Sequence, residues 1–254
     1  MMCWDGTFHL LIQSIAVWMM YTGRNHKIFS LLWAASVANS LPPLLLGASI
    51  GPFSSEIQFS TALNAPWIIF PMIAIIYSIK NSPKQTKNVE NNFFLDFLGI
   101  IFHFFTIIIH VIRSMVVLGS NTPAAKWWVQ NIEPVKDYSG SCNVLALQWF
   151  FLFSPWHLIS IYEILALRFT SFTPVLGLNN NANFSSIFLG AYLHGGFLFI
   201  FTSIFRWDNF QLFVNPNNTL YSPFFWSVNC FVLLGVFLHF IRFNFPKGTK
   251  LKQN

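Results

Sequence analysis

The sequence predicts an all-α, polytopic membrane helical bundle of about seven transmembrane helices, and three observations carry that prediction. Of 254 residues, 54% are apolar, 19% aromatic and only 9% charged, whereas a soluble domain carries about a quarter charged residues. Apolar runs long enough to cross a bilayer, about 20 residues each, recur along the whole chain. The lysines and arginines fall almost entirely on one side of those runs. Together these features exclude a soluble enzyme, a nucleic-acid-binding domain and a disordered chain.

The predicted spans are 4–22, 28–50, 59–79, 93–119, 143–167, 185–205 and 223–243. Periodicity alone does not separate helix from strand in such runs, but their length favours helices. A backbone in lipid must also satisfy its own hydrogen bonds, and the alternating pattern of a membrane barrel is absent. The first span is the weakest, because Asp5 and Gly6 open it. Between the third and fourth spans lies a polar Lys/Asn stretch, 81–92, the one break that resembles a domain linker.

Charge placement sets the orientation. Arg24, Lys27, Lys80, Lys84, Lys87, Arg168, Arg242, Lys247, Lys250 and Lys252 lie on one side, against Lys126, Lys136 and Arg206 on the other, with Arg113 inside a span. By the positive-inside rule the C-terminus is cytosolic. The net charge of +6 therefore reports topology and calls for no nucleic-acid partner. Asn217 heads a glycosylation sequon in the lumenal loop after the sixth span, while the sequon at Asn183 falls on the cytosolic side. Lys250 and Lys252 stand fifth and third from the C-terminal residue, a pattern similar to the dilysine signal of endoplasmic-reticulum residents and equally that of a basic membrane flank. The start of the chain has no basic signal-peptide region and reads as the remainder of a longer protein.

Polar groups inside the spans are costly and face a bundle interior or a wet cavity. In order these are Asp5 and His9 in the first span, Asn64 and Trp67 in the third, and His103, Thr106, His110 and Arg113 on one face of the fourth. The fifth holds Gln148, Trp149, His157 and Glu163, the sixth His194, and the seventh Asn229. At 1.5 Å per residue, Asp5, His9, Asn64, Arg113, Gln148 and Asn229 all fall in the lumenal half of the membrane. Amides and imidazoles often act only as glue between helices; a carboxylate such as Asp5 tips the balance to a cavity. Arg113 either snorkels to the lumenal interface or stacks on Trp149. Asp96 and Glu163 lie near the cytosolic edge and are expected to be solvated. Trp4, Trp127, Trp128, Trp207 and Trp226 fit an aromatic belt, and Ala191-x-x-x-Gly195 and Gly47-x-x-x-Gly51 read as close-packing positions. Cys3, Cys142 and Cys230 are too far apart for a metal or redox motif. No zinc spacing, nucleophile motif or phosphate loop is found, so no metal, no cofactor and no catalytic set is expected.

Several stretches resemble one family. Trp4-Asp5-Gly6-Thr7-Phe8-His9 resembles the Trp-Asp-Gly-(Thr/Ser)-x-His signature of the transmembrane 6 superfamily. The run 47–57, Arg113-Ser114-Met115-Val116-Val117-Leu118, Glu133-Pro134, and Asn229 with Arg242 are similar to further stretches of that family, in order. The resemblance implies two tandem EXPERA modules, four-helix bundles shared with emopamil-binding protein (a sterol isomerase) and the sigma-2 receptor. Residues 1–80 would be the last three helices of an incomplete first module, 81–92 a cytosolic linker, 93–244 a complete second module and 245–254 a basic tail. Asp5 and His9 then resemble the acidic residue and its i+4 polar neighbour of such pockets, and Asn64 with Trp67 the Asn-Ala-x-Trp of the isomerase's fourth helix. In the second module Trp149 occupies the place of the acidic residue.

The expected function is that of a multipass endoplasmic-reticulum membrane protein binding a sterol or other lipid and acting in lipid handling, including neutral-lipid loading. Candidate pocket residues are Asp5, His9, Asn64, Trp67, Arg113, Gln148, Trp149 and Asn229. Two alternatives stay open: a sterol Δ8–Δ7 isomerase-like enzyme, and a structural or adaptor membrane protein without a ligand. Expected partners are membrane lipids and a sterol-like small molecule, with homo-oligomers or other membrane proteins left open; an endosomal or lysosomal membrane is the alternative location.

Overall fold

A computed structural model of the chain describes residues 5–50, 65–80, 92–133, 146–169, 177–204 and 223–245. Among these residues every regular element is helical. Helix α1, Leu10–Tyr21, follows a π-helical turn at Asp5–His9. Helix α2 spans Lys27–Ile50, α3 Ala65–Lys80, α4 Phe93–Val117 and α5 Pro123–Asn131. A second π-helical turn, Trp149–Phe153, leads into α6, Ser154–Arg168; α7 runs Gly177–Ile204 and α8 Pro223–Asn244. The helical stretches Phe93–Val117, Ala146–Arg168 and Trp226–Asn244 are each long and apolar enough to cross a membrane, and the chain is an all-α membrane protein.

Local chemistry fixes the ends. Asn92 caps α4 by accepting from the Leu95 amide, and Gly119 follows its last turn at φ +71°, a conformation that glycine adopts without steric cost. Helix α5 is not among the predicted elements, although Thr122 accepts from the Ala125 amide and Pro123 takes the first helical position, a recognised start signal. Helix α7 begins eight residues before the predicted 185, because Asn181 and Asn183 are both buried among its neighbours and do not terminate it. The π turn before α6 has a physical cause as well. Pro155 lacks the N–H that residue 151 would need one turn back, and the wider turn passes the bond on, the Ser154 amide donating to Trp149 O.

The bundle is apolar on the outside. Phe93, Phe94, Phe97, Phe104, Phe105, Phe151 and Phe224 are all exposed, a surface that water would oppose and lipid accepts. Helix α2 packs on α3 and α7, α7 on α8, and α4 on α6 and α8. The tightest of these contacts is α2 on α7, where a Cβ added at Gly190 would collide with the Leu32 carbonyl oxygen and come within 2.9 Å of its Cα. Gly195, one of the positions read as close-packing, lies against Trp149 and Asn39, a Cβ there falling 3.1–3.2 Å from both. The Gly47-x-x-x-Gly51 pair falls outside the residues whose surroundings are described.

Candidate functional site

Helix α4 supplies the axis of the site. Asp96, Gly99, His103, Thr106, His110 and Arg113 recur at intervals of three and four and are buried, so they form one inward stripe. Asp96 and Arg113 are 17 residues apart, about 25 Å along a helix. The two ends and the middle of this stripe each hold a distinct polar group.

At the Asp96 end the carboxylate is held by two arginines. Arg168 Nε donates at 2.7 Å and Arg242 Nε at 2.9 Å. Glu163, one layer away, accepts from Asn181 Nδ2 at 2.8 Å. The expectation that Asp96 and Glu163 are solvated is therefore corrected: they are 3% and 1% exposed. A buried carboxylate needs partners of opposite charge or several donors, and helices far away in sequence provide them.

At the other end Arg113 forms an ion pair with Glu133, which lies just beyond α5, and donates from Nη2 to Asn229 Oδ1 at 3.0 Å. Trp128 Nε1 completes the carboxylate's shell at 3.0 Å. Arg113 also sits over Trp149, 5.3 Å from the ring centroid. Stacking on Trp149 is thus observed, whereas snorkelling is not, since Arg113 is 1% exposed. Of the expected aromatic belt, Trp127 is exposed but Trp128 is buried, drawn in by Glu133; Trp4 and Trp207 lie outside the described residues.

Between the two ends runs a continuous chain of rings. His239 Nδ1 and His103 Nε2 are 2.9 Å apart, His103 Nδ1 and His157 Nδ1 2.7 Å, His157 Nε2 and Tyr192 Oη 2.6 Å, and Tyr192 Oη and His110 Nε2 2.6 Å. All five residues are buried. Trp156 packs edge-on against His103 and His239, and Phe153 against Tyr192 at 4.7 Å, an aromatic casing that keeps water off the chain. Three helices besides α4 contribute a ring each, which is why no local motif in the sequence announces the array.

The chain of rings opens onto a cavity of about 250 Å³ between α4, the π turn, α7 and α8. Its polar lining is His110, Arg113, Tyr192 and Asn229, and its apolar walls include Trp149, Leu193, Phe197, Val232 and Leu233. Gly196 also lines it, with open space where a Cβ would stand. His110 Nδ1 has no hydrogen-bond partner among the described residues. Three of the sequence candidates, Arg113, Trp149 and Asn229, meet at this cavity. Gln148 does not: its Nε2 donates to Asn39 Oδ1 at 2.6 Å, while Asn39 Nδ2 donates to Ala191 O at 3.0 Å. This is glue between α2, the π turn and α7.

The first block has a different outcome. His9 Nε2 lies 2.7 Å from Ser36 Oγ, and its ring stacks on His194 at 6.0 Å, so the π-helical turn before α1 is tied to α2 and α7. Asn64 lies outside the described residues, as do the side chains of Asp5 and Trp67, and with them the expected four-residue constellation. Asn217, Lys250 and Lys252 also fall outside. Among the described residues no group of His, Cys, Asp or Glu is arranged to hold a metal ion. Sequence reasoning missed Glu133 as the partner of Arg113, together with Tyr192, His239 and Asn39. A tyrosine two residues from His194 and a histidine one turn from Arg242 were available signals; Glu133 stood out only through the family resemblance of Glu133-Pro134, and no periodicity linked it to Arg113.

Comparison with known proteins gives a consistent picture. Residues 1–89 match the family described as transmembrane 6 superfamily member 2-like, transmembrane domain. The chain is similar to transmembrane 6 superfamily member 2 of Homo sapiens, 25% identical over 177 residues, and to that of Mus musculus, 24% over 173 residues. Each alignment covers 63% of this chain and 46% of the relative, so the chain spans about half the length of the curated proteins it matches. No solved structure matches.

Proposed function

We propose that this membrane protein, whose residues 1–89 match the transmembrane 6 superfamily member 2-like domain, is of that superfamily and binds the polar end of a sterol or similar lipid in the cavity beside Arg113. The observation that carries this reading is the lining itself: apolar walls with a few convergent polar groups are the ordinary makeup of a small-molecule site. At about 250 Å³ the cavity is smaller than the roughly 300–1,000 Å³ that bury a drug-sized ligand whole. The guest is therefore admitted by its hydroxyl or carbonyl end, with its hydrocarbon left among the lipid chains. His110 Nδ1, buried and unpartnered among the described residues, is the atom that such a group would meet. Lipid handling in the endoplasmic-reticulum membrane is part of the proposal, and colocalisation of the tagged chain with a marker of that membrane checks the location.

Binding is favoured over an isomerase-like reaction by Arg113. A guanidinium stays protonated in proteins, so at the cavity wall it offers hydrogen bonds but no transferable proton. The test is photo-crosslinking of the full chain with a photoactivatable sterol. Gly196→Leu fills the cavity from a position with room for a Cβ and is expected to reduce labelling by about tenfold, equivalent to 1.4 kcal/mol. Labelling equal to that of the parent chain would overturn the cavity as the site. Conversion of a Δ8-sterol by purified protein would favour the enzyme instead.

A further inference from the structure

We propose that the ring chain from His239 to His110 is a proton relay through the middle of the bundle. The relay rests on the ring contacts and not on the lipid reading, and it operates when water stands at His110 Nδ1 in the cavity. Five groups make four contacts of 2.6–2.9 Å, and each contact needs one hydrogen. Four neutral imidazoles and one phenol carry five hydrogens. One remains, and with the phenol accepting from one neighbour and donating to the other, it sits on one of the two end nitrogens.

Those ends are where the structure leaves something open. His239 Nε2 and His110 Nδ1 are both buried and lack a hydrogen-bond partner among the described residues, while every polar ring atom between them is paired. With the chain polarised one way, each group donates toward His110, whose Nδ1 then bears the fifth hydrogen and His239 Nε2 a bare lone pair. Glue between helices is made of isolated side-chain pairs, such as Gln148 with Asn39. This network instead joins side chain to side chain across four helices, with one donor for each acceptor along its length.

The transfer balances. A hydronium ion at the His239 side gives a proton to Nε2, and Nδ1 releases its own to His103 Nε2. His103 Nδ1 passes one to His157 Nδ1, His157 Nε2 one to Tyr192 Oη, and the phenol its original proton to His110 Nε2. His110 Nδ1 delivers the last to water in the cavity. One proton enters, one leaves, and no group ends charged. Turning of the rings restores the first polarity before the next transfer.

The experiment is proton flux into phosphatidylcholine vesicles containing the full chain and an entrapped pH dye, driven by a potassium diffusion potential. Flux above that of protein-free vesicles is expected. Tyr192→Phe keeps the ring and its packing but removes the oxygen that joins His157 to His110, and flux should fall to the protein-free rate. His239→Asn keeps a donor where Nδ1 stands and removes the second nitrogen, with the same expected loss. Absence of flux in the parent chain overturns the relay, as does flux that survives Tyr192→Phe. As a readout independent of turnover, 15N-histidine spectra should show singly protonated rings whose tautomers at His110 and His157 change in Tyr192→Phe; unchanged tautomers would also overturn it.

Discussion

Replacing Glu133 with alanine should destabilise the protein by about 3–5 kcal/mol, the cost of leaving one member of a buried ion pair without the other. Arg113 is 1% exposed and Glu133 0%, so water cannot take over the lost contact. The same change strips Trp128 Nε1 of its acceptor and loosens α5 from α4. Unfolding of detergent-solubilised protein, followed by tryptophan fluorescence, measures the effect. Replacing both partners by hydrophobic residues of similar volume should recover much of the loss, since an apolar substitute carries no desolvation cost. A single-variant loss in the range of an exposed pair, about 0–1 kcal/mol, would contradict the burial of Arg113 and Glu133.

The second large effect belongs to Gly190. A Cβ at this position would collide with the Leu32 carbonyl oxygen, so Gly190→Ala must push α7 from α2 or bend one of them. Overpacking of this kind costs about 1–3 kcal/mol. The control stands on the same helix: at Gly196 nothing lies within 4 Å of where a Cβ would stand, and Gly196→Ala should be neutral or gain up to about 1 kcal/mol from helix propensity alone. Unfolding curves of the two variants, recorded side by side, separate backbone contact from the general effect of removing a glycine. Equal stabilities would contradict the close approach of α2 and α7.

The helical membrane class was legible because it rests on composition and run length, which tertiary contacts cannot disguise. The inner stripe of α4 was legible for a similar reason, since His103, Thr106, His110 and Arg113 repeat at helical spacing and polar residues in lipid must turn inward. What they turn toward was not. Asp96 and Glu163 look like edge residues by depth alone, and their burial depends on Arg168, Arg242 and Asn181 arriving from other helices. Glu133 looks like a loop residue until α5 folds it under Arg113. Gln148 and Asn229 have similar depth and chemistry, yet one serves as glue and the other lines a cavity. Depth is one coordinate; the rotation of each helix about its axis is another, and the π turn at Trp149–Phe153 resets that rotation without a repeat in the sequence to mark it.

The distance between the two ionic clusters has a consequence for how the bundle can move. Asp96 with Arg168 and Arg242, and Arg113 with Glu133, pin α4 at two points about 25 Å apart along its axis. Sliding or turning α4 would break both clusters at once and strand a buried charge at each, so the helix keeps a single register against its neighbours.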